Sequence, residues 1–241
     1  MKKLAIIIPA FNEKENLSNL IKKIFYYLPS CNIYIIDDTK DKNQLPKIEK
    51  NSKIKYFLRK NKKGRGSAVL FGLKKAIKSK RYDYFIEMDA DLSHRPVELK
   101  KNIKLLISKK YDLVIASRYL KKSKILNWPF KRTVLSKLSN LLAQLLLNIK
   151  VSDYTNGYRF YSNRSARLIS NKCGKIGDGF IILSEILLII SKKNYKIGET
   201  HSTFINRKRG ESSVNLGLLL NSFWGLIKLF LIKINIYSPY N

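Results

Sequence analysis

The chain has 241 residues, 45% of them hydrophobic, which is enough for one α/β domain with a buried core and a small appendage but too few for two full domains. Its two cysteines, Cys31 and Cys173, lie far apart with no C-x-x-C pair, which excludes a disulfide framework and a cysteine zinc site and suits two buried thiols in a reducing compartment. Lysine and arginine number 48 against 17 acids, a formal charge of +31; part reflects a Lys-, Asn- and Ile-rich composition, and the rest favours a polyanion such as a phosphorylated substrate, an anionic lipid surface or nucleic acid.

Met1, Lys2 and Lys3 ahead of an apolar run resemble the start of a signal peptide. The run is short, however, and Pro9 and Asn12 follow without a small-residue cleavage site. Residues 4–8 are therefore read as a first strand, and the chain is expected to stay on the cytoplasmic side. Residues 13–28 place Leu17, Leu20, Ile21, Ile24, Phe25 and Leu28 at the spacing of an amphipathic helix. A second strand over 32–36 ends in Asp37 and Asp38, and a third is predicted over 54–58.

Gly64 and Gly66 open a helix running to about Lys78. They fit neither G-x-x-x-x-G-K-[ST] nor G-x-G-x-x-G, so the pair is read as a plain helix start. Residues 84–88 form the next strand, which stops at Asp89 and Asp91 on either side of the small Ala90. Two carboxylates at a strand end can face one hard divalent cation that also takes substrate phosphates. Pro96 starts another helix, and residues 113–116 form a short strand.

This alternation predicts a mostly parallel sheet covered by helices, with ligands bound beyond the carboxyl ends of its strands. Pro9 to Glu13, Asp37 with Asp38, Asp89 with Asp91, and Ser117 with Arg118 then line one crevice.

After Tyr119 the alternation breaks. Residues 130–149 read as one long helix, apolar at Val134, Leu135, Leu138, Leu141, Leu142, Leu145, Leu146 and Ile149, with Arg132 and Ser136 one turn apart on another face. A guanidinium stacked with a hydroxyl suits a phosphate. Glu185 follows Gly177 and Gly179 on a further helix, where it is read as a structural acid in preference to a catalytic base.

Residues 216–236 carry only Lys228 and Lys233 as charges, and Asn221, Gly225, Lys228 and Asn235 share one narrow helical stripe. Each central lysine would cost about 2.5–3.5 kcal/mol in a membrane span. An interfacial helix is expected here, ahead of a core helix or a tilted span.

The ordered set of motifs is specific. It comprises Ile6 to Pro9 with Phe11 and Glu13; Asp37 with Asp38; Met88 to His94; Ala116 to Tyr119; Asn127 and Trp128 with Arg132 and Ser136; Asp153, Thr155, Asn156, Gly157, Tyr158 and Arg159; and Phe204 with Arg207, Gly210, Glu211 and Ser212. Over roughly residues 3–213 it closely resembles the dolichol-phosphate (polyprenol-phosphate) mannose synthases of glycosyltransferase family 2. The resemblance implies the Rossmann-like GT-A fold, a three-layer α/β/α domain over residues 1–213, followed by a C-terminal interfacial segment over 214–241.

It also implies transfer of mannose from GDP-mannose to a polyprenyl (dolichyl-type) phosphate at the cytoplasmic membrane face, with inversion and with Mg²⁺ or Mn²⁺. Pro9, Phe11, Glu13, Ile36 and Asp38 would hold the nucleoside. Asp89, Ala90, Asp91 and Ser93 would form the metal-diphosphate site, with Asp89, Asp91 and Ser93 as ligands. Arg118, Arg132 and Ser136 would hold the acceptor phosphate, and Arg207 would reach the donor phosphates. Asp91, Arg118, Arg132 and Ser136 form the catalytic set, and membrane subunits have room as partners.

Three stretches depart from the family pattern. Thr39, Lys40 and Asp41 replace a Ser-Pro-Asp-Gly-like turn, Ser93 replaces a Gln, and Ser213 replaces a Lys. A UDP-sugar enzyme with the same acceptor is the nearest competing reading. A nucleic-acid binder is disfavoured, because acids at the strand ends would repel a phosphate backbone and the lysines are spread along the chain.

Overall fold

The computed structural model describes residues 2–60, 64–79, 82–206 and 216–240. A seven-stranded sheet has the order β3-β2-β1-β4-β7-β5-β8. Its strands are β1 (Leu4–Ala10), β2 (Asn32–Asp37), β3 (Ile54–Leu58), β4 (Tyr84–Glu87), β5 (Leu113–Ser117), β7 (Arg159–Ser162) and β8 (Ile197–His201). All are parallel except β7, which is antiparallel to both β4 and β5. The sequence reading foresaw the first five of these strands and placed none at β8 or at β7, which is only four residues long and follows directly on the polar loop 153–158.

Both sheet faces are covered, which is why β1 is a continuous apolar run buried at every position. Its side chains alternate between two cores, as a strand requires. Ile6 and Ile8 pack with Leu17, Leu20 and Ile24 of α1 (Lys14–Tyr27) and Leu99 and Leu106 of α3 (Leu99–Ser108). Ile7 faces the other layer, built by α2 (Arg65–Lys78), α5 (Asn163–Lys172) and α6 (Ile181–Lys192). Gly72 lets α2 lie close on the sheet, since a Cβ there would stand 2.5 Å from Ile7 Cγ2 and 2.7 Å from Ile36 Cδ1.

The helix over Phe130–Leu147, α4, does not bury one clean stripe. Ala143 and Leu147 enter the core, whereas Leu138, Leu141 and Leu145 are exposed, Leu145 by 69%. Beside it lies α7 (Leu216–Lys233), which contributes Leu226, Leu229 and Ile232 to the same core.

Gly225 leaves the polar stripe expected of α7: it is buried, and a Cβ there would meet Ile181 Cγ1 at 2.6 Å, so α6 and α7 pack closely. Lys233 Nζ donates to Leu146 O at the end of α4, and Lys192 Nζ to Ile232 O. The expected division at 213/214 falls among residues outside those described. Among the described residues no helix is long and apolar enough to cross a membrane. Lys124–Leu126 (β6) and Thr203–Ile205 (β9) form a small parallel pair beside the main sheet.

Candidate active site

The parallel directions of β1, β2, β4 and β5 bring their carboxyl ends to one edge of the sheet, so the four polar strand ends converge as expected. Beyond β1, Asn12 adopts φ +57° and donates its N–H to Thr39 Oγ1 at 2.8 Å. Thr39, which departs from the family turn, thus ties the β1 and β2 loops together. Asp37 is spent within this edge, accepting from Thr39 N–H at 2.9 Å and Tyr56 OH at 2.7 Å.

Among the expected nucleoside residues, Phe11 is exposed at the rim and Glu13 accepts from Asn16 Nδ2. Both carboxylate oxygens of Asp38 are held by Arg59, whose guanidinium also reaches Ser67 Oγ and Gly64 O. The fully buried Ile36 packs against Gly72, so its side chain belongs to the core, and its register partner Pro9 is buried in β1. These two can support the pocket floor but present no polar atom of their own side chains.

The loop after β4 is held from several sides. Leu92 takes φ +64°, Ser93 N–H donates to Asp91 Oδ1 at 3.0 Å, and Asp89 N–H donates to His94 Nδ1 at 3.0 Å. Because that backbone N–H can only donate, the His94 proton sits on Nε2, which donates to Asn156 Oδ1 at 3.0 Å. Asn156 Nδ2 donates in turn to Ala116 O, and His94 stacks on Tyr158 with ring centroids 4.9 Å apart. His94 is thereby the post that holds the Asp89–Asp91 turn, a role its place in the motif did not reveal.

Asp89 Oδ1 is bound by Arg65, at 2.8 Å from Nε and 2.7 Å from Nη2. Burial alone would raise the Asp89 carboxyl; the charge and hydrogen bond of Arg65, joined by neighbouring charges that include Arg118, together outweigh it and hold the group below the usual carboxylate range.

A divalent cation fits this turn. Its donors are hard oxygens, and Ser93 Oγ is buried without a hydrogen-bond partner among the described residues. Among the described residues no three His, Cys, Asp or Glu side chains cluster into a metal cage. A site of two carboxylates and a hydroxyl therefore leaves coordination positions for phosphate oxygens and water, as Mg²⁺-type sites do.

On the other side of His94 and Asn156, Arg118 is buried and forks onto Asp153, with Nε and Nη2 donating to the two carboxylate oxygens at 2.8 Å each. Nη2 also reaches Thr155 Oγ1 at 2.6 Å, which leaves Nη1 as the amino group that neither partner uses. Asp153 also accepts from the N–H groups of Arg118, Thr155 and Asn156. Burial would raise its carboxyl, but Arg118 holds it below the usual range.

Arg132 lies over the Trp128 ring at 4.5 Å and donates to Asn206 Oδ1 at 2.7 Å. Ser136 Oγ meets Tyr119 OH at 2.7 Å. Arg118, Arg132 and Ser136, grouped from the sequence, line one cavity of about 420 Å³ between α4, α6 and α7. Its remaining wall is largely Leu135, Leu142, Phe180, Ile181, Phe223 and Leu226. Arg118 also helps lower Asp89, so the cavity head and the metal turn share one electrostatic neighbourhood.

Arg207, with Lys208, Arg209, Gly210, Glu211, Ser212 and Ser213, lies outside the described residues. Glu185 is fully buried and accepts from Gly174 N–H, Lys175 N–H and Tyr240 OH, which matches its reading as a structural acid.

The chain is similar to known proteins in both sequence and fold. The chain is 37% identical over 219 residues to a dolichol-phosphate mannosyltransferase of Pyrococcus furiosus, covering 88% of this chain and 59% of that protein, so it spans well under two thirds of the relative's length. It is 29% identical to a polyprenol monophosphomannose synthase of Mycolicibacterium smegmatis, over 87% of this chain and 80% of the relative. Among solved structures, glucosyl-3-phosphoglycerate synthase from Mycobacterium tuberculosis, in complex with Mn²⁺, UDP and phosphoglyceric acid, superposes with a TM-score of 0.66 at 16% identity, covering 99% of this chain and 80% of that one. That likeness establishes the GT-A type of α/β fold. The sequence model described as glycosyl transferase family 2 matches residues 5–169, the span that holds the Asp89–Asp91 turn, Arg118 and Arg132, and the chain belongs to that family.

Proposed function

We propose that the protein transfers mannose from GDP-mannose to a polyprenyl monophosphate at the cytoplasmic face of a membrane, with inversion at the sugar and with Mg²⁺ or Mn²⁺ bound. The observation that carries the reading is the two-sided character of the cavity, with arginines and a serine at its head and apolar side chains along its body. That combination suits one amphiphile, an anionic phosphate on an apolar chain. The two relatives, a dolichol-phosphate mannosyltransferase and a polyprenol monophosphomannose synthase, support the same acceptor class and sugar.

The residues divide the work. Asp89, Asp91 and Ser93 would hold the cation, which when bound supplies positive charge to offset the departing diphosphate. Arg118 and Arg132 bind and orient the acceptor phosphate. A phosphate monoester with a second pKa near ~6 is mostly dianionic at neutral pH, so its oxygen attacks without a general base. This accords with Glu185 being buried in backbone hydrogen bonds and absent from the cavity wall.

The deciding experiment incubates the protein with polyprenyl phosphate, Mg²⁺ and, in turn, radiolabelled GDP-mannose, UDP-glucose and UDP-N-acetylglucosamine. Lipid-extractable label from GDP-mannose alone is expected. Label from a UDP-sugar alone would overturn the donor, and label from none would overturn the reaction. A bulky residue in the cavity should separate the two substrates. Ser139→Trp is expected to raise KM for a long-chain acceptor about tenfold, since each blocked methylene forfeits about 0.8 kcal/mol, while GDP affinity stays at the wild-type value. An unchanged acceptor KM would place the lipid elsewhere.

The membrane assignment draws on the outer faces of α4 and α7, where Phe130, Leu138, Leu141, Leu145 and Trp224 are all more than half exposed. Leu138→Glu with Leu145→Glu should lower co-sedimentation with anionic phosphatidylglycerol vesicles at least tenfold. Equal sedimentation would remove α4 from the membrane contact.

A further inference from the structure

Arg65 lies between two glycines at the start of a helix, a setting that by itself marks no function. In the structure it is the first residue of α2, behind Gly64 at φ +91°, and its side chain runs to the end of β4. Nη1 donates to Glu87 Oε1 at 2.6 Å, and Nε and Nη2 both converge on Asp89 Oδ1. Glu87 is fully buried and its other oxygen accepts from Tyr161 OH at 2.6 Å. The fold also leaves a slot for the guanidinium, because a Cβ on Gly157 would lie 1.8 Å from Arg65 Nη2.

We infer that Arg65 is a positioning residue of the metal-diphosphate site: a resident cation fixed on Asp89 Oδ1, which orients Asp89 by that oxygen and opposes a divalent ion until nucleotide phosphates add their own charge. The inference rests on the metal reading given above and goes beyond it. A fixed positive charge within hydrogen-bonding distance of one metal ligand repels an incoming cation. Diphosphate brings negative charge and oxygen ligands together, which offsets that repulsion. Metal and nucleotide binding are then coupled, each strengthening the other by the same factor. Glu87 keeps Arg65 in place, since its second carboxylate bond is to the guanidinium and its first to Tyr161.

The test measures Mn²⁺ binding by the loss of the free-ion EPR signal, with the whole chain, with and without GDP or UDP. In Arg65→Met with Glu87→Gln, which removes the cation and its buried counter-charge together, nucleotide-free Mn²⁺ affinity is expected to rise at least tenfold and the enhancement by nucleotide to shrink correspondingly. Arg65→Lys, which keeps the charge, should bind free Mn²⁺ as the wild type does. Gly157→Ala is an independent variant with every charged residue intact. Its Cβ must push the guanidinium away from its slot, so it too should bind free Mn²⁺ more tightly, and it decides the matter if the double variant does not fold.

Unchanged or weaker Mn²⁺ affinity in the folded variants would overturn the proposal and leave Arg65 as a structural tie. Asp91→Ala is measured alongside. If it abolishes nucleotide-supported Mn²⁺ binding while the Arg65 and Gly157 variants match wild type, the metal reading stands and the Arg65 inference alone falls. If wild type binds no Mn²⁺ even with nucleotide, both fall.

Discussion

Asp91→Ala is expected to abolish mannosyl-lipid synthesis, on the order of 10³-fold in kcat, with little change in stability. On the proposed reading of Asp91 as a cation ligand, the several kcal/mol that a bound cation would contribute to stabilising a departing diphosphate would be lost. Asp91 differs from Asp89 in what else it does. Asp89 is bound to Arg65 and, through its backbone, to His94, whereas the bond described for the Asp91 side chain is a local one, from Ser93 N–H to Oδ1. Removing it therefore costs the fold about as much as one turn hydrogen bond, roughly 1 kcal/mol. The measurement is single-turnover transfer to polyprenyl phosphate at saturating Mg²⁺, beside a urea denaturation curve. Wild-type turnover in a folded Asp91→Ala protein would end the catalytic reading of the strand-end acids.

The fold was legible where side-chain period and burial agree. β1 and β2 are near-continuous apolar runs, and α1 keeps Leu17, Leu20, Ile21 and Ile24 on one face, so their positions followed from spacing alone. β7 was not legible, because its four residues carry no alternation of their own and are held in register by β4 and β5 on either side. The period of α4 was legible, but spacing alone did not say which of its apolar positions are buried. Leu138, Leu141 and Leu145 face outward because Arg132, Ser136, Ser139 and Ala143 occupy the side turned to the cavity.

At the candidate site, the strand-end acids could be brought together because strand ends converge, but their supports could not. Arg59 lies 21 residues from Asp38, Arg65 lies 24 from Asp89, and Asp153 lies 35 from Arg118, and no local pattern joins such pairs. The signal that was present is chemical: an arginine at the first turn of a helix whose N-terminus faces strand ends, and an aspartate followed by Tyr-Thr-Asn-Gly, which favours an Asx turn.

Asp153→Ala is expected to destabilise the fold by about 3–5 kcal/mol, because it strands the buried Arg118 charge. It also leaves the N–H groups of Arg118, Thr155 and Asn156 without their acceptor. The pair's pH dependence has a definite sign. The Asp153 carboxyl sits below its ordinary value in the folded state, so its contribution is present above the unfolded pKa of ~3.9 and is lost as pH falls through the folded value. Acid unfolding of Asp153→Ala should accordingly be shallower than that of wild type, even though the variant is weaker at neutral pH. Arg118→Lys separates support from chemistry. The ammonium keeps a charge beside Asp153, so the fold should survive with a smaller loss than in Asp153→Ala, but a point charge cannot fork onto Asp153, reach Thr155 and still offer a donor to the acceptor phosphate. Transfer should fall at least 10²-fold, on the order of 3 kcal/mol in the transition state, with GDP affinity unchanged. Full activity in Arg118→Lys would show that Arg118 serves only the Asp153 loop and that Arg132 alone receives the acceptor.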